Sequence, residues 1–86
     1  MEMQTIDLKA LGVEKTVDAR GTACPGPLLE AKRAVAAVKM KGIMDVLSSD
    51  SGSLEDIPMW CKKVGHDYLG AYEEAGYWHI MLRKGK

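Results

Sequence analysis

The apolar positions change period several times along the chain, and each change marks an element. Residues 16–19 (Thr-Val-Asp-Ala) form a short β-like run that Gly21 closes. From Leu28 to about Lys39, the residues Leu28, Ala31, Val35 and Val38 recur at spacings of three and four, with Ala34 beside them. This is the stripe of an amphipathic helix, and Glu30, Lys32, Arg33 and Lys39 fall mostly on its other side. Gly42, a residue that tolerates positive φ, is expected to mark the exit. Ile43–Ser48 reads as a second strand and residues 49–53 as a loop. Leu54, Ile57, Cys61 and Val64 then repeat at three, four and three, a second helical stripe ended by Gly65. Pro58 lacks an N–H and its ring crowds the preceding turn, so it belongs in a first turn. Asp56 is therefore expected to cap this helix, with a looser turn over residues 53–56. Asp67–Glu74 and Tyr77–Arg83 read as strands joined in a hairpin at Ala75-Gly76.

The order β-α-β-α-β-β predicts an α/β (α+β) two-layer sandwich, a four-stranded mixed sheet with two helices on one face. The first two strands would be joined by a right-handed helical crossover. Residues 13–86 make one domain, and residues 1–12 a leader of unsettled structure in which Ile6 and Leu8 alternate with polar neighbours, a weak strand signal. A chain of 86 residues holds one core. A domain this small buries only about 60–65% of its unfolded surface, so its chemistry is expected near the surface.

Twelve Lys/Arg balance twelve Asp/Glu, and the neutral total argues against a general nucleic-acid or membrane binder. A 47% hydrophobic share excludes a disordered chain. Two cysteines are too few for a disulfide scaffold or a four-ligand zinc site, and no metal or cofactor is expected. Charges at Glu2, Asp7, Lys9, Glu14 and Lys15 break up any apolar signal core. The longest apolar run, Ala34 to Val38, is far short of the roughly 20 residues that span a bilayer. The expected compartment is the reducing cytoplasm. Neutrality also hides an asymmetry. Between Arg20 and Lys41 lie five bases and one acid, and between Asp45 and Pro58 four acids and no base. That pattern is read either as two ordinary solvated faces or as a dipolar surface able to orient a protein partner.

The chemistry concentrates in residues 18–29, Asp-Ala-Arg-Gly-Thr-Ala-Cys-Pro-Gly-Pro-Leu-Leu. If Pro25 is the first helical residue, Cys24 is the N-cap. Unpaired N–H groups and the positive end of the helix dipole then favour an anion, lowering the pKa of the thiol. Pro27 has no N–H, so Gly26 N–H is the expected local donor to the sulfur. Both prolines fix φ and stiffen the turn.

The Cys24-Pro25-Gly26-Pro27 element resembles the Cys-Pro-x-Pro motif of the TusA/SirA-like sulfur-carrier family. The likeness extends over roughly residues 16–85. It takes in Asp18-Ala19-Arg20-Gly21, Asp50, Asp56-Ile57-Pro58, Cys61 and Leu82-Arg83-Lys84-Gly85. It implies the same two-layer sandwich, and a motif cysteine, here Cys24, that carries sulfur as a persulfide. Such carriers take sulfur from a cysteine desulfurase or rhodanese-like donor and pass it to an acceptor protein. The destinations are tRNA thiolation, molybdenum-cofactor synthesis or oxidative sulfur metabolism. The expectation is therefore a sulfur carrier that does not turn over a small substrate alone. Pro25, Gly26 and Pro27 would support the motif, and Arg20, Lys32, Arg33, Asp50 and Asp56 are candidate partner contacts. Ala23 stands where some tRNA-thiolation members have Arg.

Cys61 lies on an apolar stripe and is expected to be a small buried hydrophobe. Were it instead a resolving thiol for Cys24, the chain would be a thiol-redox protein. A second alternative is an RNA-binding module, since the architecture resembles the C-terminal domain of translation initiation factor three. No aromatic residue lies between Arg20 and Lys41 to stack on bases, and no direct nucleic-acid or membrane contact is expected. His66 and His79 are placed by no motif and read as structural.

Overall fold

The computed structural model describes residues 5–23 and 26–86. Four strands, β1 (Lys15–Asp18), β2 (Ile43–Ser48), β3 (Asp67–Glu74) and β4 (Tyr77–Arg83), form one sheet in the order β1-β2-β4-β3. β1 and β2 run parallel, with Val17 opposite Val46, and the other neighbours are antiparallel. Because side chains alternate across a strand, Val17, Met44, Val46, Ile80 and Leu82 share one face. That face packs against two helices, α2 (Gly26–Ala34) and α3 (Ser53–Val64), through Ala31, Ile57, Trp60 and Cys61. The expected mixed sheet and its two helices on one face are present.

The leader departs from its strand signal. Residues Thr5–Lys9 form a short helix, α1, on the opposite face of the sheet. Leu8, 1% exposed, inserts against Leu69 and Met81, whereas Ile6 is 78% exposed. Two alternating residues are too short a sample to fix a period, and the apolar notch on the sheet selects Leu8 alone. Lys9 pins the end of α1 through a 2.6 Å pair with Glu74 and lies 5.5 Å from the Tyr72 ring centroid.

Three boundaries shift for local reasons. α2 tightens into a 3₁₀ turn over Val35–Ala37, and Val38 is already extended while still buried. At the exit the positive φ falls on Lys41 (70°), not on Gly42. Gly42 is needed for space, since a Cβ there would stand 2.5 Å from Glu14 Oε1. That carboxylate accepts the Lys39 N–H through Oε2 at 2.8 Å.

α3 begins at Ser53, so Asp56 lies within the helix and is not its cap. Its N–H already bonds the Gly52 carbonyl at 3.1 Å. The N-cap is Gly52, with no side-chain cap, and the turn ahead of it is held by a clasp of buried hydroxyls: Ser53 Oγ lies 2.7 Å from Ser48 Oγ and donates to the Asp50 carbonyl at 2.6 Å. Pro58 thus sits in the second turn and cannot donate to the Leu54 carbonyl, and burial of Ile57, Trp60 and Cys61 compensates. Gly65 ends α3 at φ 96°, and the Ala75-Gly76 hairpin uses positive φ at both residues, as expected.

The C-terminus closes over α3. Gly85 N–H donates to His66 Nδ1 at 3.1 Å, and a Cβ on Gly85 would overlap the Gly65 carbonyl oxygen. Two backbones meet there and neither can yield as a flexible side chain would. Gly85→Ala is therefore expected to cost about 1–3 kcal/mol, read as a lower urea midpoint with unchanged slope. A midpoint equal to wild type would show that the tail lifts away at no cost.

Candidate functional site

At the end of β1 the chain leaves the sheet along Ala19, whose N–H donates to the Leu47 carbonyl at 2.9 Å. Asp18 holds the next residue: Arg20 Nε and Nη2 each reach its carboxylate at 2.8 Å. The Arg20 guanidinium lies 4.6 Å from the Tyr77 ring centroid. The bidentate bond from Arg20 holds the Asp18 carboxyl down at about 2. Gly21 takes φ 82° and donates its N–H to Ser49 Oγ at 2.9 Å. Thr22 Oγ1 donates to the Ala19 carbonyl at 2.7 Å. The conformation at Gly21 is one that only glycine adopts without strain, which explains its place ahead of the motif.

Cys24 and Pro25 lie outside the described residues, so the expected N-cap is framed by what flanks it. On the near side Ala23 is exposed, and on the far side α2 opens at Gly26. Gly26 N–H donates to the Ala23 carbonyl at 2.6 Å, so the donor expected for the sulfur already has a backbone acceptor. A Cβ on Gly26 would meet Thr22 Cβ and Oγ1 at 2.8 Å, so the motif glycine lets helix and loop touch. Pro27 is fully buried, an anchor as well as a stiffener.

The candidate partner contacts separate into groups. Asp50 lines a shallow cavity of about 290 Å³ with Gly21, Thr22, Ala23 and Ser49, and its Oδ2 is buried without a hydrogen-bond partner among the described residues. Lys32 and Asp56 line another groove, of about 230 Å³, between α2 and α3. Arg33 lies on the other flank of α2, in a cavity with Lys15 and Asp18, and pairs with Glu30 at 3.1 Å. Arg20 is committed to Asp18 and Tyr77. The five residues do not form one patch.

Two residues change character. Asp45, counted in the acidic stretch, is buried on the sheet face that carries α1, so it adds nothing to a surface dipole. Its Oδ2 lies 2.8 Å from His79 Nδ1, and the His79 ring stacks on Tyr72 at 4.5 Å. The sequence signal for this pair was an acid at an apolar-patterned position in β2, legible only once Leu47 is set opposite His79. Cys61 is 0% exposed in the core, as expected, and burial pushes its thiol up to about 12.

Burial raises the Asp45 carboxyl above its ordinary value of 3.8, and His79 pulls it partly back. A carboxyl whose folded value is raised supports the fold when protonated. That support is complete below its unfolded value and is lost as pH rises through the folded value. The stability difference between wild type and Asp45→Asn is thus expected to move against wild type as pH climbs above 3.8. Urea midpoints taken across that range measure it, and a pH-independent difference would refute the assignment.

Among the described residues no helix is long and apolar enough to cross a membrane, and no cluster of His, Cys, Asp or Glu has metal-binding form. The described residues form a small α/β domain with a braced loop, residues 18–23, ahead of α2. Residues 15–84 match the family model described as Sulfurtransferase TusA. The chain belongs to this family of sulfur carriers. A relative from Archaeoglobus fulgidus is 46% identical over 70 residues, covering 81% of this chain and 96% of its own. The sulfur carrier protein TusA of Pseudomonas entomophila is 35% identical over 71 residues, covering 83% of this chain and 89% of its own. The crystal structure of a SirA-like protein from Desulfitobacterium hafniense superposes with a TM-score of 0.66 at 27% identity, covering 84% of this chain and 99% of that one.

Proposed function

We propose that Cys24 carries sulfane sulfur as a persulfide between a donor protein and an acceptor protein. The observation that carries this reading is the braced segment 18–23, which directly precedes Cys24 in a chain of the sulfur-carrier family. Unpaired N–H groups at a helix start favour the thiolate, the nucleophilic form. In loading, the Cys24 thiolate attacks the outer sulfur of a donor cysteine persulfide. The donor S–S bond breaks, a new S–S bond forms on Cys24, and the donor cysteine leaves as a thiolate that takes up a proton. Delivery is the same exchange onto an acceptor group, with Cys24 now the leaving thiolate. No net oxidant is consumed, because the outer sulfur stays at the sulfane level throughout.

The donor is a cysteine desulfurase or a rhodanese-like protein, and the acceptor belongs to tRNA thiolation, molybdenum-cofactor synthesis or oxidative sulfur metabolism. The carrier works in the reducing cytoplasm, where a free buried thiol such as Cys61 persists. A thiol-redox role finds no support in Cys61, which is fully buried with its thiol pushed up to about 12. Intact-mass and peptide mass spectrometry after incubation with a charged donor tests the proposal. The mass of one sulfur atom is expected on the peptide containing Cys24, removable by a thiol reductant; an unmodified Cys24 peptide would overturn it.

A further inference from the structure

Outside the motif, the groove between α2 and α3 combines apolar lining with exposed lysines. Its sides are Leu28 and Lys32 from α2, and Asp56, Met59, Trp60 and Lys63 from α3. Met59 is 70% exposed, an unbranched apolar side chain left in water on the face that would have to be desolvated by an occupant. Lys32 and Lys63 are exposed and make no ion pair among the described residues, unlike Lys9, Arg20 and Arg33, which are each matched to a carboxylate. Leu28 follows Cys24 by four residues in the chain, so the α2 side of the groove begins close in sequence to the cysteine that the carrier reading loads.

We infer that this groove docks an acidic, apolar-tipped surface segment of the protein that donates sulfur to Cys24. The inference rests on the carrier reading and adds the partner's chemistry to it. An apolar side chain of the donor covers Met59 and Leu28, and carboxylates on either side reach Lys32 and Lys63. Nucleic acid fits less well. Trp60 is buried and offers no stacking face. The groove also excludes Arg33 from recognition, since that residue faces a different cavity and is neutralised by Glu30. Cationic rims of this kind act chiefly on the rate of encounter, so the contact is salt-sensitive.

The test compares sulfur sources that do and do not need docking. Wild type and the double variant Lys32→Glu/Lys63→Glu are loaded by a desulfurase charged from cysteine, by a rhodanese charged from thiosulfate, and by inorganic polysulfide. Loading by at least one protein donor is expected to outpace polysulfide on wild type, to slow with added salt, and to fall about tenfold in the variant. Polysulfide loading of the variant is expected to equal that of wild type, which also reports that Cys24 and the fold are intact. A variant within twofold of wild type with both protein donors would overturn the inference. So would a parallel loss with polysulfide, or a wild type loaded no faster by either protein donor. Failure of polysulfide to modify wild-type Cys24 would count against the carrier reading itself, a separate result.

Discussion

Cys24→Ser is expected to abolish sulfur loading from every donor while leaving the fold in place. A serine hydroxyl keeps the size and the capping ability of the thiol but is not a nucleophile toward sulfane sulfur near neutral pH. The flanking brace does not depend on the sulfur: Asp18–Arg20, Gly21–Ser49 and Thr22–Ala19 are held by their own side chains and backbone. Mass spectrometry with a circular dichroism control measures both halves of the expectation. Cys61→Ser provides the converse. Loading should persist, but a hydroxyl placed in the apolar core without an assured partner is expected to cost about 1–3 kcal/mol of stability. If Cys61→Ser removed loading as fully as Cys24→Ser, the division of labour between the two thiols would be wrong.

Ile57→Ala is expected to produce a large loss of stability. Ile57 is fully buried between the helix and the sheet, and deletions of this size cost about 2–5 kcal/mol in transfer and cavity terms. The site is sensitive because Pro58 leaves α3 one hydrogen bond short, so packing carries more of the helix than usual. Against a total stability on the order of 5–15 kcal/mol, the variant should show a marked drop in urea midpoint. A loss under about 1 kcal/mol would mean that the 48–53 clasp and the Gly65 cap hold α3 without the side chain.

The elements that were legible in the sequence are those whose cause is local. The stripe Leu54, Ile57, Cys61, Val64 identified α3, and the Ala75-Gly76 dipeptide identified the hairpin, because periodicity and turn chemistry are properties of neighbouring residues. The start of α3 was misread because Pro58 suggested a first turn. The N-cap is Gly52, and its turn is held by a clasp between Ser53, Ser48 and Asp50, of which Ser48 belongs to a strand whose position is set by the sheet. α1 was misread because the notch that receives Leu8 is built from Leu69 and Met81, more than sixty residues away.

The same division holds for the site. Sequence alone determined the family, the order of elements along the chain and the mixed sheet, since these rest on residue types in a fixed order. Tertiary structure decided which charges are free. Arg20 and Arg33 look like Lys32 in a list of basic residues, yet one is clamped by Asp18 and one matched by Glu30. Asp45 looks like Asp50, yet it is buried against His79 on the far face. A charge acts on a partner only if it is exposed and uncompensated, and both conditions depend on residues brought near by the fold.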